Sequence, residues 1–253
     1  MFKAKTYLQY FYSLAFVCTM FLSSVYISII GTLFLPFSFL VRYKYINFYS
    51  VLNLWVLKHL CHIDYRVEGT ENIPENEACI IFSKHQSALE TMMVQRTFPP
   101  LTFVVKRELI WIPFFGWGLK SINPIAINRK AGRKAILQII EQGIDRLKKG
   151  IFIVIFPEGT RSKPGTKLPY KKGGAILASK SGHRVIPVAH TAGEFWPKGF
   201  FSRQTGTIVM SIGPVIETKD RKAEDIMKEA ESWIEAKMKE ISTVPGYPKT
   251  ENE

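Results

Sequence analysis

The sequence predicts an α/β fold: a mixed, largely parallel sheet flanked by helices, with an N-terminal membrane-embedded helical hairpin. Three observations carry this. From residue 64 onward, short apolar runs alternate with helical repeats, the pattern of strands joined by crossover helices. Residues 6–41 form 36 uncharged positions, 25 of them apolar or aromatic. The 253 residues also combine a net charge of +13 with 47% hydrophobic content. That combination excludes wholesale disorder and fits one domain plus an appendage. Three scattered cysteines, Cys18, Cys61 and Cys79, exclude a disulfide scaffold and suit reduced thiols facing a cytoplasm. The positive balance calls for a polyanionic partner: nucleic acid, an anionic membrane or a phosphate-bearing substrate.

The N-terminal block is too long for a cleaved leader, whose apolar region runs about 7–15 residues. As one straight helix it would reach roughly 54 Å, against a hydrocarbon core of about 30 Å. A hairpin dipping part-way into the bilayer fits better, with Ser23-Ser24, Gly31 and Pro36 as candidate bends. Lys3 and Lys5 precede the block, and Arg42 and Lys44 follow it. Equal basic flanks are what a hairpin with both ends on the cytoplasmic face would show. Over residues 45–63, Tyr49, Leu52, Trp55, Val56 and Leu60 recur at helical spacing. They describe either an interfacial helix or a core-facing one. His59, Cys61 and His62 match no zinc spacing, and no metal is expected. Residues 1–63 therefore form a membrane-anchoring unit, 64–242 an α/β domain and 243–253 a disordered tail.

Within the α/β domain, Val67-Glu68-Gly69 leads into a turn near Asn72-Ile73-Pro74. Strands are predicted at 78–82, 101–105, 124–127, 151–156, 184–189 and 207–212, and helices at 87–97, 133–148, 173–181 and 223–241. Pro99-Pro100 stops the first of these helices and Gly150 ends the second.

Four segments hold candidate chemistry. In Lys84-His85-Gln86-Ser87-Ala88-Leu89-Glu90, His85 stands where a buried strand ends and a helix begins, the usual ligand edge of an open α/β sheet. Glu90, in the first helical turn, can meet it, and a carboxylate on an imidazole fixes the tautomer of a general base. Lys106 and Arg107 end the next strand and could hold a phosphate. The aromatics that follow, Trp111, Phe114, Phe115 and Trp117, line an apolar channel or pack inside, and packing is the simpler reading. In Phe156-Pro157-Glu158-Gly159-Thr160-Arg161, Gly159 allows a tight turn and Arg161 offers a planar cation. Lys171-Lys172-Gly173-Gly174 then opens a helix that could add anion affinity. The fourth segment is the apolar strand Val185-Ile186-Pro187-Val188.

In this order and spacing, the four segments resemble the glycerolipid acyltransferases with an H-x4-D/E motif, in particular the bacterial 1-acylglycerol-3-phosphate acyltransferases. The resemblance spans roughly residues 64–215. Position 90 carries Glu where Asp is commoner. The resemblance implies that His85 is the general base on the free hydroxyl of lysophosphatidic acid, oriented by Glu90. It implies that the oxygen attacks the thioester of acyl-CoA or acyl-ACP, with no acyl-enzyme and no other cofactor. It assigns Arg161 to the glycerol phosphate with help from Lys106 and Arg107, with Glu158, Gly159 and Thr160 shaping that site. Pro187 would pack near the acyl group. The expected setting is the cytoplasmic face of a bacterial inner membrane. Alternatives are another lysolipid or glycerol-3-phosphate as acceptor, or a non-catalytic membrane-docked lipid-binding protein. Nucleic-acid binding lacks any supporting motif.

Overall fold

The computed structural model describes residues 2–197 and 203–244, with side chains from residue 7. The expected tail, 243–253, falls outside the described residues from 245 onward.

The N-terminal block is a hairpin, but not the one its composition suggested. Helix α1, Phe2–Leu33, runs unbroken through Ser23-Ser24 and Gly31. Within the helix the Ser23 hydroxyl is satisfied by the Met20 carbonyl at 3.2 Å and by Asn53 of the next helix. The chain turns over residues 34–38, which include Pro36, and re-enters helix α2, Phe39–Cys61. The second leg is therefore α2, which joins the end of the apolar block, from Phe39, to most of the 45–63 segment. One face of α2 is core-facing, with Tyr43, Ile46, Ser50, Asn53, Leu54, Leu57 and Cys61 buried, while Phe48, Val51 and Trp55 face outward.

Seven strands form one sheet in the order β1-β7-β6-β2-β5-β3-β4. They are β1 Ile63–Glu68, β2 Ile80–Ser83, β3 Leu101–Lys106, β4 Ile125–Ile127, β5 Phe152–Ile155, β6 Val185–His190 and β7 Gly206–Ile212. All neighbouring pairs are parallel except β6 and β7. β2 and β5 are buried at every position, which is why they read as continuous apolar runs. The sequence reading passed over β1, an edge strand whose alternation of Ile63, Tyr65 and Val67 with Asp64, Arg66 and Glu68 is the period of a half-buried strand.

The flanking helices are α3 Leu89–Thr97, α4 Phe115–Ser121, α5 Arg133–Lys148, α6 Gly173–Ser181, the short α7 Ala192–Phe195 and α8 Ala223–Ile241. On α5 the fully buried stripe is Ala135, Ile139, Gly143 and Leu147, one residue every helical turn. Gly143 lets α6 come close, since a Cβ there would meet Leu177 Cδ2 at 2.6 Å. One core runs from Phe16 on α1 through the sheet to Met238 on α8.

Pro187 lies fully inside this core, paired with Phe82 across β2 and β6. A proline suits this position because its missing N–H falls on the β7 side. There the partner chain bulges between Ile212 and Ile216, and Gly213 donates to the Pro187 carbonyl at 2.8 Å.

Candidate active site

β2, β5, β3 and β4 all end on the same edge of the sheet, and the candidate residues lie in the segments that leave that edge. After Ser83 the chain passes through Lys84 and His85 before α3 begins at Leu89. Glu90, fully buried in the first turn of α3, reaches back over this entry. Its Oε1 stands 2.7 Å from His85 Nδ1, and its two oxygens accept the backbone N–H groups of Gln86 (3.3 Å) and Ser87 (2.9 Å). Reach-back of this kind satisfies donors that a helix N-terminus otherwise leaves open. Burial by itself would raise the Glu90 pKa. The His85 hydrogen bond, the neighbouring imidazoles of His190 and His85 and the Glu90 backbone N–H together outweigh burial and hold the carboxyl below its ordinary range. An ionised Glu90 on Nδ1 keeps the proton on that nitrogen, so the basic lone pair of a neutral His85 is on Nε2. The His85 ring stacks on Phe156 at 4.1 Å between centroids and keeps 18% of its side-chain surface open.

His190, at the end of β6, stands beneath this pair. Burial pushes its pKa down. Its Nε2 lies 2.8 Å from the Lys84 carbonyl, and its Nδ1 accepts the Ala192 N–H at 3.3 Å, a pattern suited to the neutral ring with the proton on Nε2.

The third segment is tied to the first by the main chain. The Ser162 N–H and hydroxyl both donate to the His85 carbonyl, at 2.8 and 3.1 Å. Arg161, one residue before, is exposed beside this anchor, as is Thr160. Gly159 takes φ +70°, with the Lys171 side chain lying across it. The placement of Glu158 departs from a substrate-facing role. Its side chain is fully buried, with Oε2 accepting the His85 N–H at 2.9 Å and Oε1 2.8 Å from Lys84 Nζ. Lys84, itself completely buried, pairs also with Glu235 of α8 at 2.9 Å, and Tyr170 donates to that same Glu235 oxygen. Glu158 is thus a carboxylate that braces the histidine backbone. It turns inward because Lys84 supplies the buried countercharge. Pro187 is likewise a core residue, not a lining one.

Lys106 and Arg107 are exposed at the end of β3, where Lys106 pairs loosely with Glu108 at 3.8 Å. Sequence reading passed over a second basic cluster, Arg129, Lys130, Arg133 and Lys134, which follows β4 on the same edge. Arg129 donates to the Gly159 carbonyl, joining this cluster to the third segment, and partial burial pulls its pKa down. The available signal was four basic residues within six positions immediately after a short apolar strand. The expected interior aromatics are largely exposed: Trp111, Phe115 and Trp117 face outward. Among the described residues, no group of three or more His, Cys, Asp and Glu side chains is placed to hold a metal ion.

A histidine–carboxylate pair on the edge of a largely parallel sheet, rimmed by basic side chains, defines a class of group-transfer enzyme acting on anionic acceptors. The chain belongs to the acyltransferase family, whose family model matches residues 64–191. It is 41% identical to the 1-acyl-sn-glycerol-3-phosphate acyltransferase of Pseudomonas aeruginosa over 83% of this chain and 82% of that one. It is 30% identical to the enzyme of that name from Limnanthes douglasii, over 81% and 73%. The fold matches the crystal structure of the 1-acyl-sn-glycerophosphate acyltransferase PlsC from Thermotoga maritima. That match has a TM-score of 0.74 and 27% identity, covering 95% of this chain and 98% of the other.

Proposed function

We propose that this protein transfers an acyl chain from a thioester donor, acyl-CoA or acyl-ACP, to the free hydroxyl of 1-acylglycerol-3-phosphate, forming phosphatidic acid. The observation that carries the reading is the His85–Glu90 pair at 2.7 Å, standing beside a basic rim. His85 Nε2 takes the proton of the acceptor hydroxyl as its oxygen bonds to the thioester carbonyl carbon. The tetrahedral adduct collapses by breaking the C–S bond, and the imidazolium returns its proton to the leaving thiolate. Glu90 holds the ring in one tautomer and stabilises the transient imidazolium. The acceptor hydroxyl is itself the nucleophile, so the reaction needs no acyl-enzyme. Arg161 binds the acceptor phosphate, with Lys106, Arg107 and Arg129 adding positive potential at the rim.

The setting is a membrane, with the catalytic edge on the cytoplasmic side. Supporting this, 27 residues of α1, Tyr7–Leu33, are long and apolar enough to cross a bilayer. The helix buries Ser13, Phe16, Ile27 and Ser28 along one face and exposes Tyr7, Phe11, Leu14, Phe21, Leu22 and Tyr26 along the other. A helix packed lengthwise on its own domain, with an apolar outer face, suits insertion into one leaflet better than a full span.

The reading is tested with purified protein in lipid, by following free thiol from acyl-CoA and acyl-ACP. Thiol release that requires lysophosphatidic acid, with phosphatidic acid as product, is the expected result. Release that ignores the acceptor, or follows only another lysolipid or glycerol-3-phosphate, rejects it. No release with any acceptor leaves a lipid-binding protein.

A further inference from the structure

C-terminal to α2, the described residues include five large apolar side chains that are exposed, and four of them fall within seven positions: Trp111, Ile112, Phe115 and Trp117. Trp111 is 75% exposed. Apolar groups clustered this tightly on a surface mark a contact with something else.

The position of the cluster indicates what covers it. Its segment leaves the end of β3 as a 3-10 turn, Arg107–Trp111, on the sheet edge that carries His85. It then becomes α4, which packs on α1: a Cβ on Gly118 would meet Ser28 Oγ at 2.5 Å, and Ser121 Oγ lies near Gly31. The cluster therefore adjoins the helix with the long apolar outer face. Its composition is that of a membrane interface, with two tryptophans flanked by the basic residues Lys106, Arg107 and Lys120. The Lys120 ammonium lies over the Trp111 ring, 5.7 Å from its centre, so a cation sits on the indole face within the patch.

We propose that residues 109–117 are a third membrane-contacting element, separate from the helical hairpin, that seats in the headgroup layer of an anionic bilayer. The seat holds the catalytic edge against the lipid surface, so that a bilayer-dissolved acceptor reaches His85 without leaving the membrane. This rests on the membrane reading above, and the test separates the two.

The experiment uses full-length protein with one tryptophan retained at a time, Trp55, Trp111 or Trp117, the others changed to phenylalanine. Each is mixed with phosphatidylglycerol-containing vesicles whose acyl chains are brominated. The expected result is quenching of all three. Quenching of Trp55 with neither Trp111 nor Trp117 affected overturns the third element and keeps the hairpin on the membrane. Absence of quenching at all three overturns both readings. Quenching-free Trp111 and Trp117 whose emission shifts with protein concentration would assign the patch to a second copy of the chain and also reject the proposal. As a second measurement, W111S/W117S should still sediment with vesicles. Its apparent KM should rise about tenfold for a long-chain acceptor in the bilayer, the loss of roughly 1.4 kcal/mol of contact, but stay unchanged for a short-chain, water-soluble acceptor. An equal rise for both acceptors, or none for either, contradicts it.

Discussion

The backbone N–H of His85 donates to Glu158 Oε2 at 2.9 Å, so the proposed base is positioned through its main chain by a buried carboxylate from another strand end. That carboxylate is held by Lys84, which Glu235 of α8 holds in turn. Lys84→Met should be strongly destabilising, because it leaves the fully buried Glu158 carboxylate without its countercharge. Breaking a buried pair in this way costs about 3–5 kcal/mol. Denaturant unfolding measures it, and recovery of part of the loss in K84M/E158Q would identify unpaired charge as the cause.

His85→Ala should lower kcat by about 10²–10⁴-fold, the usual share of a general base. Stability should fall by about 1–3 kcal/mol, because the fully buried Glu90 loses the imidazole donor at 2.7 Å. Near-normal turnover in a thiol-release assay would remove His85 from the mechanism.

Arg161→Ala should raise the KM for the phosphorylated acceptor with a smaller effect on kcat. A charged hydrogen bond is worth about 1.5–3 kcal/mol, so the rise should be at least about tenfold. Arg129→Ala should act on the same constant, because Arg129 fastens the Gly159 carbonyl two residues before Arg161. Steady-state kinetics with acceptor and donor varied separately check both, and a change confined to the donor KM would contradict the assignment.

Acid should weaken the fold in two windows. Burial depresses the pKa of His190. Its contribution to stability is complete above the unfolded value of about 6.5 and declines as pH falls toward the folded value. Glu90 is also depressed, so its contribution is complete above about pH 4.3 and is lost as pH falls through its folded value. His190→Gln, which keeps a donor for the Lys84 carbonyl, should flatten unfolding free energy against pH just below 6.5 while leaving the lower window in place. An unchanged slope there would show that His190 is not the group responsible.

The parts of the fold that the sequence predicted well have simple periodicity. α5, α6 and α8 occupy the expected residues because their apolar spacing is helical and glycines or polar turns bound them. β5 differs from its expected run by one residue at each end. α4 was not anticipated, since Phe115-Gly116-Trp117-Gly118 is a poor helix former in isolation and is helical where it packs on α1. Of the site, His85 and Glu90 were legible because they straddle a strand end and a helix start. The Lys84–Glu158–Glu235 chain was not, since its members are 74 and 77 residues apart in sequence and nothing local distinguishes an inward carboxylate from an outward one.

The sequence by itself determined the alternation of strands and helices, the long apolar N-terminus, the four motif segments and the histidine–carboxylate spacing. These are local patterns of size, charge and hydropathy along the chain. Only the tertiary structure decided that β1 and β7 run against the rest of the sheet and that the second leg of the hairpin is α2. It also turned Glu158 inward onto Lys84, set Pro187 in the core and left Trp111 and Trp117 outside. Each of these depends on which distant residue supplies a countercharge, a neighbouring strand or a packing surface, and that is settled only when the sheet has assembled.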